Sequence, residues 1–160
     1  MDSGPETGRG PTDPATRSSA PPPADPELPA DPELAELMPL AGLLGIEALH
    51  VSPDEVRLRL AWSPQRCTAA GVMHGGAIMA LADSAGGWLA SLNLPTGAAG
   101  TTTTDSTTRF LGAVRDGHAE ATARLLHKGR TLVAIDTEVR DASGRLVART
   151  SQAQLVLGAR

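Results

Sequence analysis

Residues 55–62 alternate without a break, with Val56, Leu58, Leu60 and Trp62 on one side and Arg57 and Arg59 on the other. That period of two predicts a half-buried strand. Before it, 46–51 reads as a first strand, with Pro53-Asp54 as the turn between them, and 33–44 as a short amphipathic helix interrupted at Pro39. After a loop over 63–72 the period becomes helical. Residues 76–92 form the one long helix, ended by Asn93 and Pro95. Ile78, Leu81, Ala85, Trp88 and Leu92 recur at helical spacing and are expected to pack on a sheet. Gly76, Ala80, Asp83, Gly87 and Ala90 make a second stripe of small residues centred on an acid.

Beyond Gly97 the pattern is β to the end. Residues 100–110 are Thr-rich, 112–117 connect, and 118–127 alternate Ala with polar side chains. Lys128-Gly129-Arg130 reads as a tight turn, and 131–140 pairs with 146–157 as a hairpin across Asp141-Ala-Ser-Gly144. Strands gathered around one helix predict an α+β fold with an antiparallel sheet, and 76–92 is the only element able to cover that sheet.

Composition changes this picture at the N-terminus. Nine of the thirteen prolines fall in 1–32, among Gly, Ser, Thr, Asp and Glu. Such a stretch buries too little apolar surface to offset its ordering entropy, so 1–32 is expected to be a disordered tail and 33–160 the folded domain. The net charge is −4, without a basic stripe or long cationic run, which argues against nucleic-acid and membrane-surface partners. One cysteine, Cys67, rules out an intrachain disulfide framework and fits a reducing cytoplasm. The N-terminus shows no secretory signal pattern, and the longest apolar stretch is interrupted by Asp83. His50, His74, His118 and His127 lack metal-ligand spacing, and no nucleophilic-serine motif of the G-x-S-x-G type occurs.

The chemistry concentrates in HGGAIMALADSAGG, from His74 to Gly87. Free N–H groups at a helix start attract developing negative charge. A carboxylate two turns along the same helix can attack a carbonyl or activate water. The residues alone leave two readings of Asp83 open, a reacting acid or an ordinary satisfied or solvated one. His74 is likewise either an orienting cap or a proton carrier. Gly86 and Gly87 each cost about 1 kcal/mol relative to Ala in a helix interior. Close approach of a second helix or room for a ligand would offset this, which favours an acid at a subunit interface.

The segment GVMHGGAIMALADSA, with TTTTDSTTRFLG, HKGR and DASGRLVART downstream, resembles the hot-dog-fold acyl-CoA thioesterases of the phenylacetate-pathway (PaaI-type) branch over about residues 37–157. The resemblance implies a curved antiparallel sheet wrapped around the central helix. It implies a dimer, or a dimer of dimers, with sites between subunits. It also implies hydrolysis of an acyl-CoA thioester with no cofactor beyond the CoA of the substrate. The thioester carbonyl would sit on the N–H of Gly75 or Gly76, near His74, and Asp83 of the opposite subunit would be nucleophile or general base. Thr68 stands where many relatives carry Asn or Gln, and Thr101 lies near a strand residue that assists water in some relatives. Arg109, Lys128 and Arg130, with Gly129 in the turn, are candidates for the CoA phosphates. A carrier-protein thioesterase and a non-catalytic acyl-CoA-binding module are the alternatives.

Overall fold

The computed structural model describes Met1 and residues 32–158. The segment 2–31, which makes up nearly all of the expected tail, lies outside the described residues. Two short helices, α1 (Pro32–Leu37) and α2 (Pro39–Leu44), precede β1 (Ile46–Val51) and β2 (Glu55–Ala61). The long helix α3 (Gly75–Ser91) follows, and then β3 (Ala98–Phe110), β4 (His118–Lys128), β5 (Leu132–Asp141) and β6 (Leu146–Gly158). Pro39 starts α2, where its missing N–H costs nothing. Gly45 ends α2 in the left-handed region at φ 64°, a conformation open to glycine without steric cost.

The six strands form one antiparallel sheet in the order β1-β2-β4-β5-β6-β3. The expected α+β architecture with a single covering helix is what the chain adopts. The alternation over 55–62 survives as a buried row of Val56, Leu58 and Leu60. Facing α3, β4 supplies Ala119, Ala121 and Ala123, and β5 supplies Val133, Ile135 and Val139, all fully buried. The alanine row lets α3 lie close to the sheet. Leu81 at 0 % exposure anchors the contact, a burial that contributes about 1.5–3 kcal/mol. On the outer face Arg57 pairs with Glu120 at 3.0 Å and Arg149 with Asp136 at 2.9 Å.

The helix face differs in part from the expected one. Ile78, Leu81 and Ala85 are buried, but Leu92 is exposed and Trp88 only half-buried. Ala77, Ala82, Gly86, Leu89 and Ala90 complete the buried side. The sheet takes a face that sets Ile78, Leu81 and Leu89 among alanines and Gly86, while Gly76, Ala80, Asp83 and Gly87 of the small-residue stripe lie toward the open side. No helix among the described residues is long and apolar enough to cross a membrane.

β3 reaches the far edge of the sheet although it follows α3 directly in sequence. It pairs only with β6, leaving the other edge of a 13-residue strand without a partner among the described residues. Its inner face looks toward α3, which brings its threonines to the acid of the helix.

Candidate active site

The start of α3 is held from both sides. The His74 N–H donates to the Arg66 carbonyl at 2.7 Å, and the Met73 N–H donates to Val114 at 2.8 Å. His74 is the N-cap, at φ −63° and ψ 136°, and its Nδ1 accepts the Gly76 N–H at 2.8 Å. A ring nitrogen that accepts carries no proton, so the neutral imidazole holds its proton on Nε2. The N–H groups of Ala77 and Ile78 both donate to the His74 carbonyl. Gly75 therefore keeps the one N–H of the first turn that is free of an acceptor among the described residues. The two glycines expected as alternative donors to the carbonyl are not equivalent, since His74 Nδ1 already accepts the Gly76 N–H.

Gly75 lies under the Phe110 ring, and a Cβ there would stand 3.0 Å from Phe110 Cζ. On the other side of the helix start is a cavity of about 360 Å³, lined by Leu40 and Leu44 of α2, by Gln65–Cys67, and by His74, Gly76, Ala77 and Ala80. Cys67 faces this space. Burial pushes its thiol up, and the thiol donates to the Ser63 carbonyl at 3.1 Å.

Asp83 lies on the exposed side of α3. Its Oδ1 accepts Gln152 Nε2–H at 2.6 Å and Thr103 Oγ1–H at 3.3 Å. Oδ2 accepts no hydrogen bond among the described residues. Gln154 Nε2 donates to Thr103 Oγ1 at 2.7 Å, which turns the Thr103 proton toward the acid. Gln152 and Gln154 are 3 % and 1 % exposed, so a polar row on the inner face of β6 underlies the carboxylate. Gln152 Oε1 is buried without a partner, a state that costs about 1–3 kcal/mol. It points at Gly86, where a Cβ would fall 1.8 Å from it. The reason for Gly86 thus lies within the chain. Gly87, by contrast, would place a Cβ in open space.

Thr103, Gln152 and Gln154 were not among the residues singled out from sequence. Thr101, which was, lies two residues from Thr103, on the same face of β3. Its hydroxyl donates to the Leu155 carbonyl at 3.1 Å and lies 3.4 Å from Gln154 Oε1, so that Gln154 and Thr103 both stand between it and the acid. The register of β3 on β6, with Thr103 opposite Gln154, decides this. Thr68 sits in the exposed turn ahead of α3, where its hydroxyl accepts the Ala70 N–H at 3.4 Å, and it makes no contact with Asp83 within the chain.

The cationic candidates divide. Lys128 donates to the side chain of Asn93 at 3.1 Å, just past the C-terminal end of α3. Gly129 closes the turn by donating to the Leu132 carbonyl at 2.9 Å, and a Cβ there would press 2.8 Å against that oxygen. Arg130 is exposed in the same turn. Arg109 is exposed near the end of β3, opposite Arg149 of β6. Lys128–Arg130 and Gly75 are therefore at opposite ends of a 17-residue helix, roughly 25 Å apart along its axis.

One sheet thus packs on one long helix, which carries a free N–H at its start and a hydrogen-bonded acid two turns on. Residues 70–148 match the family model of the thioesterase superfamily. A candidate esterase of Deinococcus radiodurans is 33 % identical over 109 residues, covering 66 % of each chain. A Haemophilus influenzae thioesterase structure is 26 % identical with a TM-score of 0.68, covering 72 % of this chain and 80 % of its own. The Escherichia coli PaaI protein of the phenylacetic acid degradation operon shares the fold, at TM-score 0.72 and 22 % identity over 79 % of this chain and 90 % of its own. The chain belongs to the thioesterase superfamily and has its hot-dog fold, and these relatives support thioester hydrolysis as its class of reaction.

Proposed function

We propose that the protein hydrolyses acyl-CoA thioesters at a site shared by two copies of the chain. The observation that carries the reading is the state of Asp83. Two donors hold Oδ1, and Oδ2 is left open on an exposed helix face. The thioester carbonyl oxygen accepts the free Gly75 N–H, and the positive end of the α3 dipole adds to the stabilisation of the tetrahedral oxyanion. His74 serves as the cap that fixes this donor, and its Nε2–H is a second group able to face the thioester.

Two routes use the same atoms. In one, Asp83 Oδ2 attacks the carbonyl carbon and expels the CoA thiolate, and water then cleaves the resulting anhydride. In the other, Oδ2 takes a proton from water as the water attacks, and the thiolate leaves from the tetrahedral intermediate. Both give free acid and CoA.

Distance within one chain supports a dimer. Gly75 and Asp83 of one chain are eight residues apart, about 12 Å along the helix axis. Reacting atoms must approach to about 3–3.5 Å. One carbonyl cannot sit on Gly75 and meet the Asp83 of the same chain. A second copy paired along the unpartnered edge of β3 would satisfy that edge and supply the acid. The same pairing would let the partner's exposed cations, with Arg130 and Arg109 foremost, reach the CoA phosphates. The apolar cavity beside the helix start is the place for the acyl group.

The test is release of thiol, followed with a disulfide dye, from short, medium, long and aryl acyl-CoAs by wild type and Asp83→Asn. Turnover by wild type that disappears in the near-isosteric variant is expected. A variant as active as wild type would show that the acid is another residue. A wild type silent on every CoA ester but active on carrier-protein thioesters would change the substrate, and silence on both would favour a binding module.

A further inference from the structure

We infer that Gln152 is a positioning residue for Asp83, and that Gly86 is a glycine because it leaves room for the Gln152 amide. The inference rests on Asp83 being the reacting acid. Gln152 Nε2 lies 2.6 Å from Asp83 Oδ1, at the short end for a charge-assisted hydrogen bond. An ionised carboxylate repels an amide oxygen, so the amide must turn its NH2 group to Asp83 and its Oε1 away. Turned away, Oε1 meets no donor and points at Gly86. A side chain that is 3 % exposed with an unpaired oxygen is a poor device for packing, since an apolar residue of the same length would fill the space at less cost. What the glutamine supplies is a hydrogen bond that only a donor can make, fixed on one carboxylate oxygen. Together with Thr103 it occupies Oδ1, sets the rotation of the carboxylate, and directs Oδ2 outward.

The two partners come from β6 and from the turn of α3 just past the acid, so the device spans helix and sheet. A methyl group at position 86 would fall 1.8 Å from Oε1 and 2.9 Å from Cδ, forcing the amide off Asp83. Gly86→Ala and loss of the glutamine donor therefore damage the same function.

The test compares steady-state kinetics of wild type, Asp83→Asn, Gln152→Met, Gly86→Ala and the double variant Gly86→Ala/Gln152→Ala, with each protein's melting temperature. Gln152→Met keeps length and bulk but removes the donor. It is expected to lower kcat roughly 10- to 100-fold, the range of one hydrogen bond to a charged group, with KM within about twofold of wild type and a cooperative melt. Gly86→Ala is expected to lower kcat similarly, and the double variant no further than the worse single one. A Gln152→Met enzyme with wild-type kcat, beside an inactive Asp83→Asn, overturns the positioning role and leaves the reading of the acid intact. So does a loss confined to melting temperature and KM. Full activity in Asp83→Asn overturns both.

Discussion

If the Gly75 N–H holds the oxyanion, replacing it by proline deletes the donor and little else. Proline is tolerated at the first position of a helix, where the N–H has no intrahelical acceptor. Its ring restricts the preceding residue to extended backbone, and His74 is already there at φ −63° and ψ 136°. The Gly76 N–H still reaches His74 Nδ1, and the bonds of Ala77 and Ile78 to the His74 carbonyl are untouched. The remaining disturbance is the new Cβ, 3.0 Å from Phe110 Cζ, at the end of a ring that is 50 % exposed and can swing aside. Gly75→Ala carries the same Cβ and keeps the N–H, so the ratio of the two variants isolates the donor. Removing one preorganised oxyanion donor costs about 2.7–4 kcal/mol, or roughly 10²–10³ in kcat. Thiol release from the best acyl-CoA is expected to show Gly75→Pro lower than Gly75→Ala by that factor, at melting temperatures within a few degrees. Equal kcat in the two variants would refute the assignment of Gly75 as the oxyanion donor.

Two predictions concern stability. His74→Ala removes an N-cap and is expected to cost about 1 kcal/mol in thermal or urea unfolding, while His74→Asn, with a side chain favoured at that position, recovers most of it; an Ala variant as stable as wild type would show that the cap is inert. Asp141, whose carboxylate accepts hydrogen bonds from Ser143 and from Arg145, is held down to about 2, with the Ser143 hydroxyl as the largest cause. A folded value below the unfolded one stabilises the protein above the unfolded value, and the contribution is lost as pH falls through both. The stability gap between wild type and Asp141→Asn should therefore hold constant down to about pH 4 and close toward about pH 2; a gap unchanged at low pH would refute it.

Much of this arrangement is legible in the residues. The alternation over 55–62, the glycines before 77 and the turn at 141–144 place strand, helix start and hairpin directly, because each is set by local period or turn chemistry. What escaped depends on contacts between distant segments. An Ala-rich helix has a weak apolar face, so the large Trp88 and Leu92 attract attention although the sheet takes Ala82, Gly86 and Leu89. β6 alternates from 146 to 157, but its inner face carries Thr150, Gln152 and Gln154. A polar row of this kind reads as solvent-facing until the acid it serves is placed beside it. Thr101 and Thr103 are indistinguishable by period, and only the pairing of β3 with β6 decides which one meets Asp83.

Gly86 and Gly87 show the same division. Adjacent in sequence, they look like a single request for space. The structure gives them different reasons, since one accommodates an amide from the sheet and the other faces the open side of the helix. The open side also carries Asp83, which is where a second copy of the chain has to approach for the proposed chemistry.

The central claim is a site completed across two chains, and mixing two inactive variants tests it most directly. Gly75→Pro and Asp83→Asn, each lacking activity alone, are combined, allowed to exchange subunits, and assayed for thiol release. A shared site predicts that half the dimers are mixed and that each mixed dimer holds one intact site, restoring about a quarter of wild-type turnover. No recovery after demonstrated exchange would place donor and acid in the same chain and contradict the account.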